Sequence, residues 1–474
     1  MGFEIRGVVE GFYGPFYTFA ERNELLRFLA AHGFNYYLYG PKNDRTHRAR
    51  WREAYPPELL ARFGETVALA RELGIRFSYA LSPVSMSYAS PEEEERIRAR
   101  FRAFYDLGVR DFALFFDDVT VRFRHEADAE RYGSFAQAQA DVGNRVYAWL
   151  QALDPACRLS VCPTEYHGVP PFGSYVHELG ARLRPEIDLY YTGPDVCCPA
   201  IGAGEVQAFA RAVGRTPILW DNYPVNDLGM QFELHIGPVR GRAPDLAAAV
   251  KGVVVNPMLQ AEASKIPLAT FAAYLADPWG YDPDRAWEAA LVEVAGAEVA
   301  PALRRFAENS LHSCLGTPEA ERLERLAMGL VSALEAGDEA GRQAAVAGLE
   351  GYLAEIDEAR YFLTTRLENA ALRSELLPWI VTLDHWHRAA AGALAVLGAA
   401  ERGEPYEGPM RLVLESLDYA RRPRRSGGQV LQPLAESVLR RAQAGALARR
   451  AEGTPGFPSQ PVPATATAVM GHDS

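Results

Sequence analysis

The chain has 474 residues, of which 49 are lysine or arginine and 61 are aspartate or glutamate, so its formal net charge is −12. This length predicts two domains, and the acidic balance disfavours a nucleic acid as general partner because phosphate binding depends on cationic surface. One arginine-rich stretch departs from that balance, but no aromatic residues are interleaved with it for base stacking, so we interpret it as solvated helix faces and a loop. It contains Arg421, Arg422, Arg424, Arg425, Arg440, Arg441, Arg449 and Arg450.

The cysteines and the apolar runs indicate where in the cell the protein is located. The cysteines are odd in number and have no metal-ligand or redox spacing, which indicates reduced thiols. No apolar run approaches the roughly 20 residues that a membrane span needs, and the N-terminal sequence lacks the regions of a signal peptide. We therefore expect a cytoplasmic protein without a membrane partner. The cysteines are Cys157, Cys162, Cys197, Cys198 and Cys314.

Short apolar runs bounded by turn residues alternate with amphipathic helical patterns through the first 275 residues. Several helical patterns, such as TFAERNELLRFLAAHG, end on a glycine suited to a C-terminal cap. Eight strand-helix units in this length are typical of a (β/α)8 barrel, in which active sites form at the carboxyl ends of the strands. The predicted strands are residues 5–11, 35–41, 76–83, 111–118, 158–166, 188–194, 217–224 and 252–258.

The strand signal ends near residue 280, and helical periodicity follows. We predict a catalytic barrel over residues 1–280 and a helical domain over residues 281–450 that packs on it. The apolar helices of this second domain could close on themselves or pair with a second copy, so a homodimer is one of two alternatives. Residues 451–474 are rich in proline, glycine, alanine and threonine, and this composition predicts a disordered tail.

The fourth predicted strand, DFALFFDD, ends on Asp117 and Asp118. Adjacent side chains on a strand point to opposite faces, so two acids that serve one site must lie where the chain leaves the ladder. A helix cap or Asx turn is one explanation. A metal pair is another, although the other strand ends offer mainly amide, hydroxyl and phenol groups instead of further carboxylates or histidines. The third explanation is glycoside hydrolysis, in which one carboxyl must be protonated while its neighbour is charged. Two carboxyls held close together cannot both ionise easily, so the proximity of one raises the pKa of the other.

Neighbouring acids suit one form of glycoside hydrolysis better than another. The ordinary retaining mechanism needs a nucleophile about 5–5.5 Å from the acid and across the sugar, which adjacent residues fit poorly. In substrate-assisted retention a 2-acetamido group of the sugar attacks its own anomeric carbon, and the enzyme supplies an orienting carboxylate beside the acid. Trp220, Asn222 and Asp227 add an aromatic, an amide and a carboxylate, which together suit a sugar. A core role for Trp220 and a loop role for Asp227 remain alternatives.

Seven motifs in order resemble glycoside hydrolase family 84, which contains the β-N-acetylglucosaminidases that include the protein O-GlcNAcases. The resemblance covers the whole predicted barrel and, more weakly, the helical region. It implies a (β/α)8 barrel followed by a helical domain, and a retaining, substrate-assisted exo-β-N-acetylglucosaminidase that uses no metal or other cofactor. The motifs are GVVEGFYG (7–14), YLYGPKNDRTHRARWREAYP (37–56), FALFFDDV (112–119), CPTEYHG (162–168), YTGP (191–194), WDNYPVND (220–227) and VNPMLQAEASKIPL (255–268).

The same resemblance implies a role for each matching residue. Asp117 orients and polarises the acetamido group, and Asp118 is the general acid and then the base. Tyr166 steadies the acetamido oxygen in the oxazoline-like transition state. Asn222 supports the catalytic carboxylates and Trp220 lines the pocket. The residues that contact or surround the sugar are Gly11, through its backbone, Lys42, Trp220, Asn222, Asp227 and Asn256.

The chain departs from the family pattern after EGFYG, where PFYTFAER replaces the usual Pro-Trp pair, and at Asn43, where an acid is commoner. Two other functions stay open: a hydrolase of hyaluronan- or chitin-type oligosaccharides, and a catalytically silent barrel that binds N-acetylglucosamine or a glycoprotein. Both acids are present, which argues against the silent barrel. The aglycone is not determined, because a glycopeptide, an oligosaccharide and a simple glycoside share the same bound sugar.

Overall fold

A computed structural model of the chain describes residues 2–119, 121–420 and 425–451. The predicted tail after Ala451 lies outside these residues, and so do Arg421, Arg422 and Arg424 and the side chains of Arg449 and Arg450. Within the described ranges, no helix combines the length and the apolar character needed to cross a membrane. All five cysteines lie in these ranges and are free thiols.

Eight parallel strands form a closed barrel in which each strand pairs with its neighbours in sequence and β1 pairs with β8. This confirms the predicted fold class. Every strand begins within one residue of its predicted start but ends one to four residues before its predicted end. The strands are β1 (Ile5–Glu10), β2 (Tyr36–Tyr39), β3 (Arg76–Leu81), β4 (Asp111–Phe115), β5 (Arg158–Cys162), β6 (Asp188–Tyr191), β7 (Ile218–Asp221) and β8 (Gly252–Val255).

Side chains point alternately to the two faces of each strand, and this alternation divides the core into two layers. On β4, Phe112 and Leu114 belong to the large cluster between the sheet and its helices, whereas Ala113 and Phe115 belong to the smaller cluster inside the barrel. The inner cluster also contains Trp220 from β7. Successive side chains point to opposite faces of a strand, so the apolar run in this sequence fills both layers at once.

The helices that surround the barrel begin at recognisable sequence signals. Thr18 forms a capping box with Glu21 at the first helix, and Ser90 and Ser134 cap the third and fifth. The helices of the barrel are α1 (Phe19–Ala31), α2 (Pro57–Glu72), α3 (Pro91–Asp106), α4 (Glu126–Arg131), α5 (Phe135–Leu153), α6 (Ser174–Arg182), α7 (Ala203–Val213) and α8 (Ala261–Ala276), with short 3-10 turns at Leu228–Met230 and Pro244–Ala248.

The remainder of the described chain is helical, as its periodicity predicts. It contains α9 (Pro283–Ala295), α10 (Ala300–Glu308), α11 (Glu321–Ala336), α12 (Glu339–Thr365), α13 (Ala370–Arg402), α14 (Glu407–Ala420) and α15 (Gly428–Ala451). The described residues fall into two compact units. The first lies within Met1–Glu321, Ala354–Leu383 and Pro423–Gly427, and the second within Arg322–Leu353, Asp384–Arg422 and Gly428–Ser474. The predicted domain boundaries follow the type of element and stay predictions.

Candidate active site

A cavity of about 210 Å³ lies where the strands of the barrel end, and it brings together every residue that the sequence singles out for the site. Most of these residues follow the strands instead of lying within them, because the strands end early. The predicted site residues that line the cavity are Gly11, Lys42, Asp117, Asp118, Tyr166, Trp220, Asn222, Asp227 and Asn256.

Asp117 is the buried member of the carboxylate pair, with 5% of its surface exposed. Its Oδ2 accepts a hydrogen bond from the ammonium group of Lys42, which also lies 4.9 Å from the centre of the Phe115 ring. Within the described part of the chain, no donor reaches Asp117 Oδ1, although this oxygen is buried. A buried acceptor without a partner costs free energy, so this oxygen is suited to a donor on a ligand.

Asp118 is the exposed member of the pair and turns away from the strand, with a φ of 54°. This left-handed conformation is uncommon outside glycine and recurs at functional sites. The hydroxyl of Tyr13 donates to Asp118 Oδ2 over 2.7 Å, and the hydroxyl of Tyr166 donates to Oδ1 over 3.2 Å. Burial, and secondarily Asp118 itself, raises the pKa of both phenols, so both remain protonated donors at neutral pH.

A chain of amides forms another wall of the cavity. Asn222 Oδ1 accepts from Trp220 Nε1 and from Asn256 Nδ2, each over 2.9 Å, and its Nδ2 donates to the carbonyl of Val196 over 2.8 Å. The Gly11 N–H donates to Asn256 Oδ1 over 3.3 Å. These hydrogen bonds join Asn222 to the wall instead of to either aspartate, so its predicted support of the carboxylates stays a prediction.

Gly11 permits the close approach of the Trp220 ring to the first strand. A Cβ atom at this position would lie 2.5 Å from Trp220 Cζ2, which no side chain tolerates without movement of the indole. The indole is 4% exposed and also belongs to the inner core cluster. Trp220 therefore fills both of the roles that the sequence left open, as core residue and as pocket wall.

Tyr13 joins the two sides of the cavity, and the sequence reasoning missed it. Its N–H donates to Asp227 Oδ2 over 2.7 Å, while its hydroxyl holds Asp118. Burial raises the pKa of Asp227, and the N–H bond from Tyr13 opposes that rise. The available signal was its place in the motif GVVEGFYG, two residues after Gly11.

The arrangement has the parts of a sugar site with an acid–base group. It combines a cavity with an indole wall, amide groups and two carboxylates in unlike environments. Across residues 2–119, 121–420 and 425–451, no three histidine, cysteine, aspartate or glutamate side chains are grouped so that they could hold a metal ion. The chemistry that this site can perform with its own groups is proton transfer by an exposed carboxyl beside a buried, oriented carboxylate.

Comparisons with known proteins agree with this geometry. A family model described as NAGidase, beta-N-acetylglucosaminidase, matches residues 6–308. The protein O-GlcNAcases of Rattus norvegicus and Mus musculus are each 36% identical to the chain over 274 residues, which are 56% of this chain and 29% of theirs. The chain therefore spans less than a third of the length of these curated relatives.

Solved structures resemble the chain over most of its length. A mutant of the O-GlcNAc hydrolase of Thermobaculum terrenum superposes with a TM-score of 0.88 and 32% identity, over 95% of this chain and 97% of that one. The structure of CpGH84B superposes with a TM-score of 0.81 and 26% identity, over 92% of this chain and 77% of that one. The likeness thus includes the helical region as well as the barrel.

Proposed function

Because the chain belongs to the β-N-acetylglucosaminidases of glycoside hydrolase family 84, we propose that Asp117 and Asp118 carry out its substrate-assisted hydrolysis and that its natural substrates are glycoproteins. The observation that carries the proposal is the contrast between the two neighbours. Asp117 is buried with one oxygen on Lys42 and the other without a donor among the described residues, whereas Asp118 is exposed and held by two phenols.

In the first half of the proposed reaction, Asp117 Oδ1 accepts the acetamido N–H and turns the acetamido oxygen toward the anomeric carbon. That oxygen attacks, and the bond from the anomeric carbon to the leaving oxygen breaks. Asp118 gives its proton to the leaving oxygen, so the aglycone departs as a neutral alcohol. The product on the enzyme is an oxazolinium ion that keeps its N–H, and the Asp117 carboxylate stabilises its positive charge.

In the second half, water attacks the anomeric carbon from the side that the aglycone left. The Asp118 carboxylate takes a proton from that water, and the oxazoline ring opens to restore the acetamido group. Two inversions at one carbon give net retention. Tyr166 contributes a donor beside the acetamido group, and Gly11, Lys42, Asp227 and Asn256 bind the sugar hydroxyls in this proposal.

The aglycone is the finer part of the proposal. The names of the relatives, protein O-GlcNAcase and O-GlcNAc hydrolase, support a glycoprotein. A hydrolase of hyaluronan- or chitin-type oligosaccharides is the second candidate, since it would bind the same terminal sugar. The homodimer and the cytoplasmic location remain predictions from the sequence, and light scattering coupled to size exclusion measures the first of them.

The testing experiment combines a small substrate with a natural one. Hydrolysis of a fluorogenic β-N-acetylglucosaminide is measured in excess chelator for the wild type, Asp117→Asn and Asp118→Asn, and release of N-acetylglucosamine from a glycosylated serine peptide is followed by mass spectrometry. We expect activity that survives the chelator and collapses in both variants. Wild-type hydrolysis of chitin or hyaluronan oligosaccharides without hydrolysis of the glycopeptide would contradict the glycoprotein assignment.

A further inference from the structure

A buried ion pair lies behind the amide wall of the sugar cavity. Trp220 and Asn222 line the cavity, whereas Asp221 between them does not, because neighbouring side chains on a strand point to opposite faces. The Asp221 carboxylate accepts two hydrogen bonds from Arg242, from Nε to Oδ2 over 2.7 Å and from Nη2 to Oδ1 over 2.5 Å. The Arg242 and Asp221 side chains are 2% and 1% exposed, so this bidentate pair is closed to water.

The guanidinium of Arg242 also holds the β6–α7 loop, residues 192–202. Its Nη1 donates to the main-chain oxygens of Cys198 and Pro199, over 3.1 and 3.3 Å. It also donates to the main-chain oxygen of Arg240 over 2.9 Å, within its own segment. One planar group therefore joins the carboxylate at the end of β7 to the carbonyls of the neighbouring loop, and the fork of donors that makes this possible is absent from lysine.

Gly241 brings the arginine close to this loop. Its φ is 73°, and a Cβ atom here would lie 2.2 Å from the main-chain oxygen of Pro199. Glycine fits so close a contact in this backbone conformation because it has no side chain. The next residue, Arg242, forms a parallel β-bridge with Ile201 of the loop. The arginine is therefore fixed to the loop by its own backbone as well as by its side chain.

The β6–α7 loop in turn orients a side chain of the sugar cavity. Val196 lies in this loop and lines the cavity, and its main-chain oxygen accepts from Asn222 Nδ2 over 2.8 Å. This bond directs the amide nitrogen to the loop and leaves Oδ1 toward Trp220 and Asn256, each of which donates to it over 2.9 Å. The position of the loop therefore determines how the amide wall is arranged.

Asp221 connects the ion pair to the following strand. Its main-chain oxygen accepts the N–H of Asn256, which follows β8, over 2.9 Å, and its Oδ1 accepts the N–H of Tyr223 over 3.1 Å. The ends of β6, β7 and β8 thus meet in one hydrogen-bonded frame that contains Arg242. This frame lies behind the part of the wall that contacts the sugar in the proposed reaction.

An ion pair of this kind contributes geometry more than stability. Removal of two charges from water is expensive, and apolar residues of similar volume are often as stabilising as a buried pair. Apolar residues cannot supply a set of donors that fixes a strand end and a loop at hydrogen-bond distances. Stability alone therefore does not require charged residues here, whereas the geometry of the adjacent amide wall does.

We propose that Arg242 is a positioning residue for the hydrolysis and acts through Asn222. It holds the β6–α7 loop against the end of β7, so that the Val196 carbonyl keeps the Asn222 amide in its orientation within the wall. The inference rests on the proposed function, in which this wall binds the sugar. Displacement of the guanidinium lets the amide turn, and a misplacement of about 1 Å in such a group costs up to about 100-fold in rate.

The first test replaces the arginine without removal of its charge. Arg242→Lys keeps a cation for Asp221 but loses the planar donors, and we expect kcat/KM on a fluorogenic β-N-acetylglucosaminide to fall by about 10- to 100-fold. The control is Arg215→Lys, because half-buried Arg215 also binds several main-chain oxygens, but at the opposite end of the barrel, where β6 begins. This control should change kcat/KM by less than about twofold. The oxygens belong to Gly180, Leu183, Arg184 and Ile187.

A double-variant cycle tests whether Arg242 acts through Asn222. Asn222→Ala removes the amide that the loop orients, so the addition of Arg242→Lys should cost less than about twofold further, although Arg242→Lys alone costs about tenfold or more. A change that acts only through general stability would multiply with Asn222→Ala instead. Multiplied losses, or an Arg242→Lys variant with wild-type kcat/KM, would overturn the positioning role.

A spectroscopic measurement follows the wall without any substrate. The indole N–H of Trp220 donates to Asn222, so its NMR signal, assigned by its loss in Trp220→Phe, reports this bond. We expect Arg242→Lys to shift that signal in the same direction as Asn222→Ala does, and Arg215→Lys to leave it in place. Asp221→Asn keeps the shape of the carboxylate but removes its charge, and it takes the place of Arg242→Lys in every measurement if that variant does not fold.

The outcomes separate this role from the function on which it rests. A wild type that hydrolyses no N-acetylglucosaminide would overturn the proposed function, whereas the indole signal would still decide whether Arg242 orients the wall. An active wild type whose indole signal is unmoved by Arg242→Lys and by Asp221→Asn would overturn the positioning role and leave the proposed function standing.

Discussion

At the residue scale, the two neighbouring aspartates differ because the chain turns between them. Asp117 follows the inward-facing Phe115 by two positions and is buried, whereas the left-handed backbone at Asp118 directs the second carboxylate to Tyr13 and Tyr166. The sequence predicts that such a pair lies beyond the ladder, since strand neighbours face opposite sides. It does not predict which of the two is buried.

The acid role of Asp118 is testable with leaving groups of different acidity. Asp118→Ala should lower kcat/KM by about 10²- to 10⁴-fold on an alkyl N-acetylglucosaminide, because the leaving alkoxide then receives no proton. On an aryl glycoside with a very acidic phenol the loss should be less than about tenfold, since that phenolate departs without help. Steady-state kinetics on both substrates measures the difference, and equal losses would be incompatible with an acid at this position.

At the element scale, the strands end earlier than the sequence predicts. The apolar or aromatic character continues past the last strand residue, for example in Phe116 after β4, whose N–H still donates to the Cys162 carbonyl over 2.9 Å, so composition alone extends the strand. The residues that lie between the predicted and the observed ends include Asp117, Asp118 and Tyr166 of the candidate site.

Helix α8 also depends on a distant residue. Its N-cap residue, Gln260, makes no side-chain cap bond, and the Glu375 carboxylate of α13 accepts the N–H groups of Glu262 and Ala263 over 3.1 and 2.8 Å. This is the role that serine or aspartate plays locally at other helices. The sequence contains no signal for it, because the two segments are 112 to 113 residues apart.

Loss of this cap should destabilise the protein. We expect Glu375→Ala to lower the free energy of unfolding by about 1–2 kcal/mol, because two N–H groups lose their acceptors. Burial raises the pKa of Glu375 to about 7, so the stability that this residue contributes declines as pH rises from its ordinary pKa toward 7, and urea unfolding is therefore measured near pH about 5, where that decline is small. The exposed Glu368 provides the control, and Glu368→Ala should change stability by less than about 0.5 kcal/mol. Equal effects of the two changes would refute the cap.

At the scale of the whole molecule, buried titratable groups make stability depend on pH. His47 is fully buried, its Nδ1–H donates to the Ala80 carbonyl over 2.9 Å, and burial lowers its pKa to about 3. Between this value and the ordinary pKa of about 6.5, the unfolded chain binds a proton that the folded chain does not. The free energy of unfolding should therefore fall as pH falls through this range, by up to about 1.4 kcal/mol per pH unit from this residue.

The contribution of His47 is isolated by comparing the pH dependence of stability of the wild type with that of a His47 variant, because all other groups titrate in both proteins. His47→Asn keeps an N–H donor but does not titrate, so its stability should fall less than that of the wild type between neutral pH and pH about 5. His177→Gln, an exposed change on α6, should follow the wild type. Parallel curves for His47→Asn and the wild type would show that the histidine is not held neutral.

The sequence by itself determined the eight strand starts to within one residue, the helical character of the remaining described chain and nine of the residues that line the sugar cavity. These follow from local properties: the alternation of apolar side chains, the turn and cap residues, and motifs contiguous in the chain. Only the tertiary structure decided that Tyr13 holds Asp118 and that Glu375 caps α8. Tyr13 and Asp118 are 105 residues apart, and barrel closure, which pairs β1 with β8, brings such distant loops together.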